Sequence, residues 1–408
     1  MQVIVGVIAL TAVIVLLVTV LMFCERKLVR KGKVKLLING DEQKSPMVDI
    51  GSNLLMALSQ QAVFLPSACG GKGSCALCKC QVLEGGGDIG PSERTHINRT
   101  DAKNNWRLAC QVKVRAPMKI QVPAAVFSIR KWTCTVRSNR NVATFIKELV
   151  LDLPPGEVID FAPGGYIQID VPPYEGLSYR RFDVEPQFRP DWDKFKFWDL
   201  VTNNPGECFR AYSMANHPAE GNMVMLNIRI ATPPPRTQGI NPGIVSSWTF
   251  ALKPGDQATI SGPYGEFHIK DTDREMIYIG GGAGMAPLRS HIFHLFHTLK
   301  TGRKVSYWYG ARSRREMFYT EEFEAIARQF PKFSYHVALS EPLPEDQWTG
   351  FKGFIHQVVL DNYLKDHPNV DDVEFYLCGP PPMLTAVQKM LRDLGVEKDM
   401  IAFDDFGI

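Results

Sequence analysis

Four cysteines and a glycine run carry the first chemistry visible in this sequence. Cys69, Cys75 and Cys78 form a C-x5-C-x2-C pattern, and Cys110 follows 32 residues after Cys78. Between the first two lies Gly70-Gly71-Lys72-Gly73-Ser74. Glycines let backbone N–H groups turn toward inorganic sulfide, and such hydrogen bonds tune a cluster's potential. Three thiolates from one loop plus a fourth from a distant strand suit the two irons of a 2Fe–2S cluster. Structural zinc is the competing occupant. It usually takes its cysteines as two close pairs, whereas here the first gap is too long and Cys110 stands alone. Cys80, two residues beyond Cys78, reads as a core side chain of the strand leaving the loop.

The elements that must position these thiols are β-rich. Val34-Lys35-Leu36-Leu37-Ile38 alternates, Asn39-Gly40 is a hairpin signal, and residues 53–61 have the spacing of a short amphipathic helix. A ferredoxin-like β-grasp domain over 31–126 accommodates them. Its cysteine spacing resembles the adrenodoxin-like branch of the ferredoxins, with one residue more in the first gap than the plant-type pattern.

A second group of residues lies in a stretch of short β-branched runs punctuated by Pro and Gly, the texture of an antiparallel barrel over 127–268. Arg210-Ala211-Tyr212-Ser213 resembles the flavin motif of the ferredoxin–NADP reductase superfamily. On a strand, Arg210 and Tyr212 face one way and Ser213 the other. The resemblance implies that Arg210 binds the pyrophosphate through its guanidinium fork, that Tyr212 stacks on the isoalloxazine, and that Ser213 reaches flavin N5. Asn227 and Arg229 follow on an alternating strand, and Gly243-Ile244-Val245-Ser246 resembles the superfamily's helix start at the pyrophosphate, with Gly243 and Ser246 as its marks. Provision for a second half of the cofactor favours FAD over FMN. Pro254-Gly255-Asp256 is an ordinary turn. Residues 174–205 form an insertion whose Trp192, Phe195, Phe197 and Trp198 are too apolar for a flexible linker. It reads as a packed insertion and a candidate docking surface.

The third group belongs to a doubly wound α/β domain over 269–408. Met276-Ile277-Tyr278-Ile279 is strand-like and ends in Gly280-Gly281-Gly282-Ala283-Gly284, followed by a helical stretch. Strand, glycine turn and helix form a phosphate cradle, although the G-x-G-x-x-G fingerprint fits only loosely. Gly281, Gly282, Ala283 and Gly284 are its candidate contacts. Cys378-Gly379-Pro380, ending a second strand, resembles the superfamily's nicotinamide edge, with Cys378 where the hydride leaves. Arg312, Arg314 and Arg315 could hold the 2′-phosphate of NADPH, yet similar runs occur in NADH-using relatives, and NADH is favoured. Phe406 is the candidate aromatic shield of the flavin, with a frayed terminus as the alternative. His291, His294 and His297 do not converge on one ion at helical spacing and read as a partly exposed helix face.

Composition bounds the rest. With 408 residues, 45% apolar and 22% charged, the chain is long enough for two or three globular domains. A net charge of +3 excludes a nucleic-acid binder driven by bulk charge. Nine cysteines, an odd number over a long chain, exclude a secreted disulfide framework. The segment 3–23 is apolar apart from Gly6, Thr11 and Thr19, and as a helix it would be about 31 Å long, matching a bilayer's hydrocarbon thickness. Arg26, Lys27, Arg30, Lys31, Lys33 and Lys35 follow it, so residues 1–30 read as a transmembrane anchor whose basic flank keeps the soluble domains cytoplasmic.

Over nearly the whole chain this order resembles the family of NADH-oxidising F subunits of the bacterial sodium-translocating NADH:quinone oxidoreductase. The resemblance implies an inner-membrane assembly with other membrane subunits, ubiquinone as final acceptor and Na⁺ export. It also implies that NADH reduces FAD and that a 2Fe–2S cluster receives single electrons from it. Soluble oxygenase reductases share the order but lack the N-terminal span. A membrane-anchored NADH-dependent reductase serving an oxygenase is the alternative. A non-catalytic cofactor-binding scaffold is a third reading, against which intact Tyr212, Ser213 and Cys378 speak.

Overall fold

A computed structural model describes residues 6, 7, 10–20, 32–43, 45–234, 237 and 239–406. Within it the described residues up to 65, with 71–128, form one unit, and 129 onward with the short segment 66–70 form another. Of the apolar segment 3–23, residues 3–5, 8, 9 and 21–23 lie outside the described residues. Residues 10–20 are helical and exposed, and among the described residues no helix is long and apolar enough to cross a membrane.

In the first unit a five-stranded sheet runs in the order Met47–Asp49, Lys33–Ile38, Met118–Gln121, Lys79–Glu84, Trp106–Leu108. The alternation of Lys33–Ile38 puts Leu36 and Ile38 inside, both wholly buried. Asn39 and Gly40, at φ 52° and 73°, make the tight turn that returns the chain to Asp41. The helix Leu54–Ser59 starts where Asn53 Oδ1 accepts the Met56 amide at 2.8 Å, and it turns Leu54, Leu55, Ala57 and Leu58 inward.

The second unit has two parts. Its first sheet is wholly antiparallel, ordered Cys208–Ser213, Tyr166–Val171, Gln257–Tyr264, Arg130–Ala143, Ile146–Asp152, Met223–Arg229. A bridge between Met214 and Leu226, with the Ala215 amide on the Met225 carbonyl at 2.7 Å, joins the two edge strands and closes the sheet on itself. The insertion packs onto this sheet. Its strands Tyr174–Ser178 and Val201–Asn204 pair with each other, and Trp192 is fully buried among Tyr179, Phe182, Phe197, Trp198 and Phe250. The aromatic density therefore serves a core; of its large apolar side chains only Phe195 and Val201 remain exposed.

The second part is a six-stranded parallel sheet ordered Phe351–Lys352, Phe333–Leu339, Val305–Ala311, Met276–Gly281, Glu374–Cys378, Ile401–Asp404. Met276–Gly281 is buried on both faces, so it reads as a continuous apolar run. Tyr278 packs with Met285, Leu288 and Phe323 on one face, while Ile277 and Ile279 pack with Val359, Val387 and Leu391 on the other.

One expectation fails here. His291 is not on a partly exposed face but wholly buried, its Nε2 3.0 Å from the Phe267 carbonyl and 3.2 Å from that of Pro163. Helix Met285–Phe293 is buried on every side, being covered by both parts of the unit, so a helical period that assumes one solvent face misplaces the imidazole. Burial pushes that ring's pKa down to about 4. His294 is half-buried and His297 exposed.

Candidate functional site

The thiols of the first unit are set by backbone. Cys78 immediately precedes the strand Lys79–Glu84, its carbonyl accepts the Ala109 amide at 3.0 Å, and Cys110 follows directly. A hydrogen bond with Cys110, and then burial, push the Cys78 thiol well above its usual range, with Cys75 adding to the effect. Cys75, Cys78 and Cys110 are thus near neighbours. Gly71 and Gly73 both have φ of 85°, and a Cβ on Gly73 would meet Gln111 Nε2 at 2.8 Å. Among the described residues no three His, Cys, Asp or Glu side chains form a single-ion site. Cys69 is buried in the segment 66–70. Cys80 is wholly buried, and its thiol is pushed up to about 12 by burial, as befits a core side chain.

The strand presenting Cys110 has its own staple. Arg107 Nη2 meets Glu93 Oε2 at 2.7 Å with both side chains buried, and the guanidinium also donates to the carbonyls of Gly86, Gly87 and Asp88. Burial alone would raise the Glu93 carboxyl, but Arg107 and the Gly90 and Leu108 amides outweigh it and hold the group below its usual range.

In the second unit, Arg210, Tyr212 and Ser213 lie on the strand Cys208–Ser213. Tyr212 is half-buried, and burial raises its phenol. Arg210 Nη1 donates to the Phe209 carbonyl at 2.6 Å. Opposite Ala211 stands Gln168, whose Nε2 is buried without a hydrogen-bond partner among the described residues; Asn227 Oδ1 is in the same condition. Such orphaned polar atoms suit a site built to receive a polar cofactor. Asn227 Nδ2 donates to the Tyr319 hydroxyl at 2.8 Å, while Arg229 at the strand end is exposed. Gly243 precedes the helix Ile244–Ala251, where a Cβ would meet Ala231 Cβ at 2.6 Å and Ser246 Oγ at 2.7 Å. Ser246 Oγ accepts the Ala231 amide and donates to the Gly243 carbonyl, each at 3.1 Å, so it shapes this turn.

The two nicotinamide motifs meet. A Cβ on Gly284 would lie 2.1 Å from the Cys378 carbonyl oxygen and 2.5 Å from the Gly379 amide, so only glycine lets the cradle press against the strand carrying Cys378. Gly282, at φ 57°, makes the turn; Gly281 and Ala283 flank it, and Pro380 precedes the helix Pro381–Asp393. Cys378 is wholly buried, and burial, then Asp404 and Asp405, hold its thiol well above the usual range.

Asp404 was not singled out by the sequence, and it joins the pieces. Its Oδ2 accepts from Ser213 Oγ at 2.7 Å, and it is the strand partner of Cys378. Burial raises its carboxyl to about 6, although the Ser213 hydrogen bond pulls the other way. Placed between Ser213 and Cys378, this carboxyl accepts the serine hydrogen bond when ionised and can donate one when protonated. Phe406, two residues on, is half-buried against the apolar cluster containing Cys378. No local signal separated Asp404 from the adjacent Asp405.

Three family models match in succession: the 2Fe-2S iron-sulfur cluster binding domain over 36–115, the oxidoreductase FAD-binding domain over 196–269 and the oxidoreductase NAD-binding domain over 278–389. The F subunit of the Na(+)-translocating NADH-quinone reductase of Pseudomonas aeruginosa is 55% identical over 97% of both chains. Those of Klebsiella pneumoniae and Methylococcus capsulatus are 54% and 53% identical over the full length of each. The chain belongs to this family of F subunits. It is thus an NADH-oxidising component of a multi-subunit membrane enzyme, with 2Fe–2S, FAD and NAD domains. Among solved structures, the ferredoxin reductase in carbazole 1,9a-dioxygenase is 25% identical, with a TM-score of 0.61 over 93% of this chain and 99% of that one. An Amycolatopsis cytochrome P450 reductase, 23% identical with a TM-score of 0.62 over 91% and 98%, shares the fold.

Proposed function

We propose that the chain takes electrons from NADH at the Ser213–Asp404–Cys378 constellation and hands them on through the cysteine loop to membrane subunits that reduce ubiquinone and export Na⁺. Bound FAD supplies the step from a two-electron hydride to single electrons that a 2Fe–2S cluster can take. The observation that carries the reading is the pair of contacts bringing Ser213, Asp404, Cys378 and Gly284 together.

The residue roles follow from it. Tyr212, Ser213 and Cys378 line the hydride path, with Asp404 holding the serine proton. Arg210, Asn227, Arg229, Gly243, Ser246 and Phe406, with Tyr212 and Ser213, hold FAD. Gly281, Gly282, Ala283, Gly284, Gly379 and Pro380, with Cys378, hold NADH. Cys69, Cys75, Cys78 and Cys110 hold the cluster. The domains run over 31–126, 127–268 and 269–408. The strand orders support a β-grasp, a barrel and a doubly wound sheet. Residues 1–30 form a transmembrane anchor and its basic flank, the apolar 3–23 being the single inner-membrane span, with the domains cytoplasmic.

Anaerobic stopped-flow mixing of the detergent-solubilised chain with NADH tests this. Flavin absorbance should bleach first and the longer-wavelength cluster absorbance second. Cluster reduction before flavin bleaching would overturn the order.

A further inference from the structure

In a doubly wound domain the coenzyme's adenosine ribose lies at the end of the strand beside the one bearing the glycine turn. An arginine there accommodates the 2′-phosphate of NADP. That strand here is Val305–Ala311, paired in parallel with Met276–Gly281, and Arg312, Arg314 and Arg315 follow it. Taken alone, the run would suit a 2′-phosphate.

The structure gives two of these guanidiniums other partners. Arg315 Nη1 lies 3.4 Å from Asp191 Oδ2 and donates to the Gln187 carbonyl at 3.5 Å. Arg312 Nη2 lies 3.6 Å from Glu316 Oε1. The two acids are largely shielded, with side-chain exposures of 14% and 17%. One residue holds the first of these regions through Trp192 and the second directly. Thr144, wholly buried between the strands Arg130–Ala143 and Ile146–Asp152, donates from its amide and its hydroxyl to the Glu316 carboxylate. Its carbonyl accepts Nε1–H of Trp192 at 2.8 Å, and Trp192 is the immediate neighbour of Asp191. The aromatic core of the insertion thereby fixes an acid beside the coenzyme strand.

We propose that this insertion selects the coenzyme: Asp191 and Glu316 withhold Arg315 and Arg312 from a 2′-phosphate, so the site takes NADH and rejects NADPH. A phosphate could recruit Arg315 only by leaving the shielded Asp191 carboxylate unpaired beside a dianion. Arg314 is exposed, and a single solvated cation contributes little. This inference rests on the reading that the third domain binds NADH.

The test compares single-turnover flavin reduction by NADH and by NADPH in the full-length chain. Asp191→Asn should raise the apparent second-order rate with NADPH roughly tenfold or more, the scale of one charge-assisted hydrogen bond, and leave NADH within about twofold. Adding Arg315→Ala should abolish the gain. If Asp191→Asn does not fold, Glu316→Gln frees Arg312 and carries the same expectation. Unchanged NADPH use with normal NADH reduction would overturn the inference, as would a gain that survives Arg315→Ala. Failure of the wild-type chain to reduce its flavin with NADH would instead overturn the underlying reading.

Discussion

The two units of this chain build their chemistry by opposite means. In the first, Cys75, Cys78 and Cys110 are placed by one loop and one adjoining strand, and Gly71 and Gly73 supply the backbone angles. In the second, Ser213 lies on a strand of the antiparallel sheet while Cys378 and Asp404 come from the far end of the chain, Asp404 being 191 positions beyond its hydrogen-bond partner Ser213. A metal site asks less preorganisation of the fold, because the metal organises its own ligands. A hydride-transfer site must be preorganised by the fold, since its groups hold nothing until the coenzyme arrives. The first should therefore fail all at once when a ligand is lost, and the second by degrees.

The largest expected effect is in the first unit. Cys78→Ala should abolish the cluster's visible absorbance and electron delivery to any one-electron acceptor, yet leave NADH-to-flavin reduction within about twofold. Loss of both would erase the division between the units. Next comes Ser213→Ala, expected to slow flavin reduction roughly a hundredfold, the cost of removing one polar group from a preorganised site. A change below threefold in stopped-flow traces would move the serine off the hydride path. Gly284→Ala should be smaller: the added methyl meets the Cys378 carbonyl, at a cost of about 1–3 kcal/mol in stability. Thermal unfolding should show it, and a wild-type melting temperature would contradict the packing of cradle against strand.

The smallest effect is with pH. Below about 6 the Asp404 carboxyl is protonated and can donate to Ser213 Oγ, freeing the serine proton for a flavin acceptor. Above it, the carboxylate accepts the serine hydrogen bond and keeps the hydroxyl turned to itself. Flavin reduction should rise a few-fold as pH falls through about 6, and Asp404→Asn should flatten the profile. Because the folded value lies above the ordinary 3.8, stability from this group is full below about pH 4 and is lost as pH rises through about 6. Asp404→Asn should accordingly raise the melting temperature more at pH 7.5 than at pH 4.5.

How much was legible follows from the same contrast. The cysteine loop, the strand Cys208–Ser213, the helix after Gly243 and the glycine turn before Met285 all stand where local patterns put them. The packed character of 174–205 was legible too, because Trp192 and its neighbours are too apolar to be solvated. Asp404 was not: nothing local distinguishes it from the adjacent Asp405, and only the pairing of Ile401–Asp404 beside Glu374–Cys378 brings it to Ser213. The role of Thr144 was hidden for the same reason, since its partners are Trp192 and Glu316. His291 misled because helical periodicity presumes a solvent face that this helix lacks.

The central claim is that Ser213 and Asp404 act as one unit at the hydride path. A double-mutant cycle on the rate of flavin reduction by NADH tests it most directly, with Ser213→Ala, Asp404→Asn and the two combined, measured at pH 7.5. Strong non-additivity is expected, the double variant being little slower than Ser213→Ala alone. Effects that simply add would contradict it, making the 2.7 Å hydrogen bond between them a structural contact rather than part of the reaction site.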